Sequence, residues 1–136
     1  MEAVMASILQ VLGLLGPKPV LKPTAEIERI GEWLSMRTSL KVSEVLLLMR
    51  ELLDCLLYFL RDGTPVRLPG VGTFTPSMDR AGVLNINFRA DVTLKARLND
   101  QGKYTGEILN RENIGITNED LKRIWDSDHP DNPLQF

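Results

Sequence analysis

Few side chains in these 136 residues can do covalent or metal chemistry. Cys55 is the only cysteine, so neither an internal disulfide nor a multi-cysteine zinc site can form. His129 is the only histidine, and it stands among Asp126, Asp128 and Asp131. That cluster lacks the glycine and bidentate glutamate of a calcium loop, and it reads as a disordered acidic tail rather than a metal site. No Ser/His/Asp arrangement, Walker loop or paired-carboxylate motif occurs. The sequence therefore predicts no enzyme activity, no cofactor and no small-molecule substrate. What remains is charge. Between 67 and 97, Arg67, Arg80, Arg89, Lys95 and Arg97 stand against Asp79 and Asp91, a mild basic stripe of +3.

That stripe belongs to a chain of formal charge −2, with 16 basic and 18 acidic groups. The imbalance is local: residues 100–136 carry four basic and eight acidic groups, while 1–23 and 24–99 are each +1. Apolar residues at 43% and charged residues at 25% fit a soluble globular protein and exclude disorder over the whole chain. The length fits one domain with appendages.

The elements that must position the stripe follow from periodicity. Val4, Met5, Ala6, Ile8, Leu9, Val11, Leu12, Leu14 and Leu15 make an apolar start. It is too short for a membrane span, which needs ~20 residues. Its one early charge, Glu2, is the wrong sign for an export signal. It predicts a short helix packed on the body or on a partner. Pro17, Pro19 and Pro23 then predict an extended linker, since proline donates no hydrogen bond. Thr24 is the expected cap of a helix whose apolar face is Ile27, Ile30, Trp33 and Leu34, with Trp33 as a packing residue.

A second helix runs from about Ser43 to Arg61. At ~100° per residue its polar positions, from Ser43 and Glu44 through Arg50, Glu51 and Asp54 to Arg61, fill roughly 120°. Val45, Leu46, Leu48, Met49, Leu52, Leu53, Leu56, Leu57, Phe59 and Leu60 fill the rest. That is about twice the stripe one core needs. One side must pack on the chain's own sheet. The other calls for a second copy of the chain, the simplest partner for so small a protein. Cys55, at the edge of this arc, reads as a small core hydrophobe. After Asp62-Gly63, three antiparallel strands are predicted: one around Val66–Leu68, one from Val71 through Phe74, and one over Val83–Phe88. Pro69-Gly70 and Asp79–Gly82 are the turns between them. A short helix follows near Val92–Leu98. Thr117 caps a last helix with Leu121, Ile124 and Trp125 on its apolar face, and Pro130 and Pro133 end the order.

One stretch carries a specific signature. Residues 60–74 read Leu-Arg-Asp-Gly-Thr-Pro-Val-Arg-Leu-Pro-Gly-Val-Gly-Thr-Phe. This resembles the histone-like bacterial DNA-binding family of HU and integration host factor, whose pattern is L-x-x-G-x-x-V-x-L-x-G-[LFV]-G-[TS]-F. Leu60, Gly63, Val66, Leu68, Gly70, Val71, Gly72, Thr73 and Phe74 all match, and Phe88-Arg89 with Leu94-Lys95 is similar to the family's ending. The resemblance covers about residues 24–98. It implies an α+β fold: two N-terminal helices, a three-stranded antiparallel sheet and a short helix, in an intertwined dimer. The implied division is an apolar N-terminal extension (1–23), an HU-like domain (24–99) and an acidic C-terminal extension with one short helix (100–136). Leu48, Leu52, Leu56, Phe59, Phe74 and Phe88 become the dimer and core residues. Lys41, Arg80, Arg89, Lys95 and Arg97 become the candidates for phosphate contact. Duplex DNA and a second copy of the chain are the implied partners, no membrane is, and the implied location is the cytoplasmic nucleoid.

The departures from the pattern are local. Only Thr75–Asn87 separate Phe74 from Phe88, so the family's long basic arms are reduced to a short hairpin without their proline-bearing tip. Ala90-Asp91-Val92 replaces the usual Pro-Gly-Lys, and Lys41 stands where a Ser or Thr cap is usual. The implied role is duplex DNA binding with little sequence preference and less bending. The alternative is the same scaffold used for protein interaction, with the acidic tail and the apolar N-terminus as contact elements.

Overall fold

The computed structural model describes residues 6–135. In chain order the elements are β1 (Ala6–Ser7), α1 (Ile8–Leu15), β2 (Lys18–Pro19), α2 (Ile27–Arg37), α3 (Val42–Arg61) and β3 (Val66–Leu68). They continue with β4 (Gly72–Met78), β5 (Leu84–Ala90), α4 (Val92–Leu98), β6 (Ile108–Leu109), a single 3-10 turn at Arg111–Asn113, α5 (Asn118–Asp128) and β7 (Leu134–Gln135). They form two compact units. One joins the N-terminal segment through Lys22 to the segment from Thr105 onward, and the other is Pro23–Tyr104.

In the terminal unit the two ends of the chain fold on each other. Ser7 and Gln10 make a reciprocal cap at the start of α1: the Ser7 N–H donates to Gln10 Oε1 (3.0 Å), and the Gln10 N–H to Ser7 Oγ (3.3 Å). Val11 of α1 packs with Leu121 and Trp125 of α5 and with Leu134 of β7, all buried, while Ile8, Leu15 and Ile116 pack at the margin. The open carbonyls at the end of α1 are closed from the far end of the sequence. Asn110 Nδ2 donates to Leu14 O (2.8 Å), and Asn113 Nδ2 to Leu15 O (2.6 Å). β1 pairs parallel with β7, and β2 pairs antiparallel with β6.

Three expectations are corrected here. The proline-rich stretch is extended, but Lys18 and Pro19 are tied into a ladder opposite Leu109 and Ile108. Order does not end at Pro130, because Leu134 is buried and its N–H donates to Asp126 Oδ1 (2.8 Å). His129 is no part of a disordered tail: its ring stacks on Trp125 with centroids 3.7 Å apart. Thr117 does cap α5, accepting from the Asp120 N–H at 3.1 Å. The part of the apolar N-terminal run before Ala6 lies outside the described residues.

The central unit is a pair of helices followed by a three-stranded antiparallel sheet in the order β3-β4-β5. Extended chain persists to Glu26, so α2 starts later than the Thr24 cap predicted, and no side chain caps it. α3 likewise starts after Lys41 without a side-chain cap. The helices meet where Gly31 is buried. A Cβ there would stand 3.3 Å from the Val42 side chain, so glycine permits the close approach. Trp33 lies two residues on, ~200° around the helix. It is therefore turned away from α3 and is 54% exposed, with the Arg37 guanidinium 5.0 Å from its ring centre. This corrects its assignment as a packing residue. Gly72 is crowded by the neighbouring strand: a Cβ would lie 2.6 Å from Arg89 O and against the Phe88 ring.

Within residues 23–104, Val45 is the only buried apolar side chain. None of the six expected core residues is fully buried in the single chain: Leu52, Leu56 and Phe74 are partly buried, while Leu48 is 59% and Phe88 51% exposed. Phe74 and Phe88 touch each other, their centroids 4.8 Å apart. Cys55 is exposed as well, correcting its reading as a core residue within one chain.

Candidate nucleic-acid interface

Side chains alternate across a strand, so the register of the central sheet sorts its residues into two faces. Val66, Phe74 and Phe88 lie in one row, with Leu68, Gly72 and Ala90 beside it and Pro76–Ile86 and Met78–Leu84 beyond. That is the apolar face. The other face carries the row Arg67, Thr73, Arg89, then the pairs Thr75–Asn87 and Ser77–Asn85. It holds two arginines, five uncharged hydrogen-bonding side chains and no acid. A surface of this kind suits the oxygen-rich backbone of a nucleic acid: guanidinium groups for charge, hydroxyls and amides for neutral contacts.

The two acids that flank this face are already engaged. Asp79 Oδ1 accepts from the Ala81 N–H (2.8 Å) and the Val83 N–H (3.0 Å), which stiffens the β4–β5 turn. Asp91 caps α4 by accepting from the Thr93 N–H at 2.8 Å. That bond, helped by the nearby positive charge of Arg67, holds the Asp91 carboxyl below its ordinary range. Among the described residues, ion pairs occur at Lys122–Asp126 and Arg123–Asp120, both in α5. Among the described residues, no base of the predicted stripe has such a partner.

The structure places the five predicted bases on four elements. Arg89 stands in the row with Arg67. Arg80 stands at the hairpin tip, held out by the Asp79 turn. Lys95 and Arg97 lie in the last turn of α4, where cations favour the helix end. Lys41 stands at the start of α3, which is about 30 Å long, while the sheet follows the other end of that helix. The sheet therefore gathers Arg89 and Arg80 and leaves Lys41 at a helix end apart from them. Arg67 shares the row with Arg89 and was only one charge of the stripe in the sequence. The signal that finds it is the pairing register, opposite Thr73. Thr73, Thr75, Ser77, Asn85 and Asn87 were signalled only by their alternation with apolar residues.

Among the described residues, no helix is long and apolar enough to cross a membrane. No curated protein matches the chain. A family model does: HU-HIG, the HU domain fused to wHTH, Ig or glycine-rich motif, matches residues 14–85. The match runs from α1 into β5 and includes the whole glycine-rich signature. HU domains are a DNA-binding, architectural kind. With more than half of its residues matched, and its helix pair, signature and antiparallel sheet in the expected order, the chain belongs to the HU-HIG family.

Proposed function

We propose that the protein binds duplex DNA as a dimer, with little sequence preference, through the acid-free outer face of its central sheet. The observation that carries this reading is the row Arg67–Thr73–Arg89 with its flanking hydroxyls and amides. Phosphate contacts fix position and carry no sequence information, so affinity from this face depends steeply on salt and weakly on sequence. Burial supports the dimer. A unit with one buried apolar side chain and exposed Leu48, Leu53, Ile86 and Phe88 leaves too much apolar surface in water for a stable monomer. A second copy packed on α3 and on the apolar face of the sheet covers it, and this returns Cys55 to an interior. Arg80, Lys95 and Arg97 extend the cationic surface around the sheet. The hairpin projects only to Asp79–Gly82 and has no proline at its tip, so the DNA is bent less than by long-armed relatives.

A mobility shift on random-sequence duplex, repeated across a salt series, tests the reading. Binding at low salt that falls linearly in log–log form supports it. No complex at low salt overturns it. The alternative, a protein-interaction scaffold, rests on α1 of the terminal unit, where Leu9 is 79% exposed and Leu12 and Leu14 are also open. It expects no DNA affinity, and an assembly that changes when residues 1–23 are deleted.

A further inference from the structure

β5 is an edge strand, and its ladder parity is fixed at both ends. The Asp79 N–H donates to Val83 O (3.0 Å), and the Asp91 N–H to Val71 O (2.9 Å). Bonded and non-bonded pairs alternate in an antiparallel ladder, so Thr73–Arg89, Thr75–Asn87 and Ser77–Asn85 are the bonded pairs. The backbone groups of Leu84, Ile86, Phe88 and Ala90 therefore point away from β4 into the open. The opposite edge of the sheet is guarded. There β3 covers Gly72 and Phe74, and past its end stands Pro76, which has no N–H to offer. β5 has no such device. It runs seven exposed residues in unbroken register, without proline or bulge, and its only charge is Arg89. Unguarded edges of this kind template pairing with another strand.

We propose that the free edge of β5 pairs antiparallel with β5 of a second copy, about a two-fold axis at Asn87. This register uses all four open residues, Leu84 bonding to Ala90 of the second copy and Ile86 to Phe88. On the outer face it sets Asn85 opposite Arg89, and Asn87 opposite its own equivalent. No like charges meet, and the amide of Asn85 accepts from the guanidinium. Moving the axis to Ile86 sets Ala90 opposite Gly82, beyond the strand, and loses the Asn85–Arg89 match. That self-complementarity is what favours a second copy over an unrelated peptide as the occupant. The product is a six-stranded sheet whose outer face joins two Arg67–Thr73–Arg89 rows. The proposal rests on the apolar-face dimer only for the size of the starting unit. A second two-fold contact on the same subunit then builds larger assemblies.

Sedimentation of the full chain through the micromolar range tests it, with far-UV circular dichroism to confirm folding. Wild type is expected to populate a species twice the mass of its smallest stable unit. Asn87→Asp sets two carboxylates opposite each other at the axis and weakens that step by about fivefold or more. Asn85→Asp sets a carboxylate opposite Arg89 and strengthens it by a similar factor. Both variants add one negative charge to the same face, so a general charge effect moves them the same way. The neutral Asn87→Thr keeps the step. Absence of the doubling step in wild type overturns the proposal, as does a shift in one direction by both aspartates. DNA affinity in the same variants is a separate readout: the phosphate reading expects both aspartates to lower it alike, whatever the assembly does.

Discussion

The terminal unit and the central unit solve the same problem differently. Residues 6–22 and 105–135 offer fewer apolar side chains, yet they bury Val11, Leu121, Trp125 and Leu134 and tie the ends together with Asn110 and Asn113. Residues 23–104 contain the longest helix, which carries more apolar side chains than any other, and bury only Val45. The difference lies in geometry. In the terminal unit, α1, α5 and β7 surround one small core. In the central unit, α3 has apolar residues on two sides, and one sheet with one neighbouring helix cannot cover both. The closed core is finished within one chain, and the open one is where the proposed second copy would complete the burial.

The sharpest way to break this comparison is to empty the closed core. Trp125→Ala removes its largest side chain and the Nε1–H bond to Asn132 O (2.6 Å). It is expected to destabilise the terminal unit by about 3–5 kcal/mol. Thermal unfolding should show that loss while the α3 helicity and DNA affinity persist. Coupled loss of both would mean that the two units are one folding system.

Leu48→Glu probes the open core. In a lone chain this exposed position tolerates charge to within about 0.5 kcal/mol. In the proposed dimer it buries an unpaired carboxylate, and dimer affinity should fall by at least about tenfold, read by ultracentrifugation. An unchanged dimer removes α3 from the interface.

Next come Arg67→Ala and Arg89→Ala on the outer face. In a titrated mobility shift, each should make the log–log salt slope of DNA binding shallower by about one for every phosphate the arginine had neutralised. Lys41→Ala, at the far end of α3, should move it least.

Acid should loosen the terminal unit. The bond from Lys122, followed by that from the Leu134 N–H, holds the Asp126 carboxyl below its usual value of 3.8. A depressed folded-state pKa contributes stability that is complete above the unfolded value and is lost as pH falls through the folded one. Unfolding followed by Trp125 fluorescence in a Trp33→Phe background should show this loss below about pH 4, and Asp126→Asn should flatten it. The smallest effect belongs to Lys41→Ser. It supplies the missing cap of α3 and should raise thermal stability by about 0.5–1 kcal/mol.

Much of the central unit was legible in the sequence. The helix pair, the Pro69-Gly70 and Asp79–Gly82 turns and the three strands follow from local patterns, and Gly70, with φ of 78°, needs the left-handed conformation its turn demands. Trp33 and Cys55 were misread because periodicity shows that a face is apolar but not whether the same chain covers it. The tail was misread because part of its order comes from the far end of the sequence, as in the pairing of Leu134 with Ala6. The candidate interface was half legible. Arg80 and Arg89 stand out as charges, but Arg67 joins them only through strand pairing.

The sequence by itself determined the local elements, the double apolar face of α3 and the glycine signature, because these depend on side-chain spacing and backbone conformation within a few residues. Tertiary structure alone decided that the two ends close one core, that Arg67, Thr73 and Arg89 share a row, and that the edge of β5 is left open. Each of these depends on which distant segments pair and in what register. A one-residue slip would exchange the faces of a strand without changing a letter of the sequence.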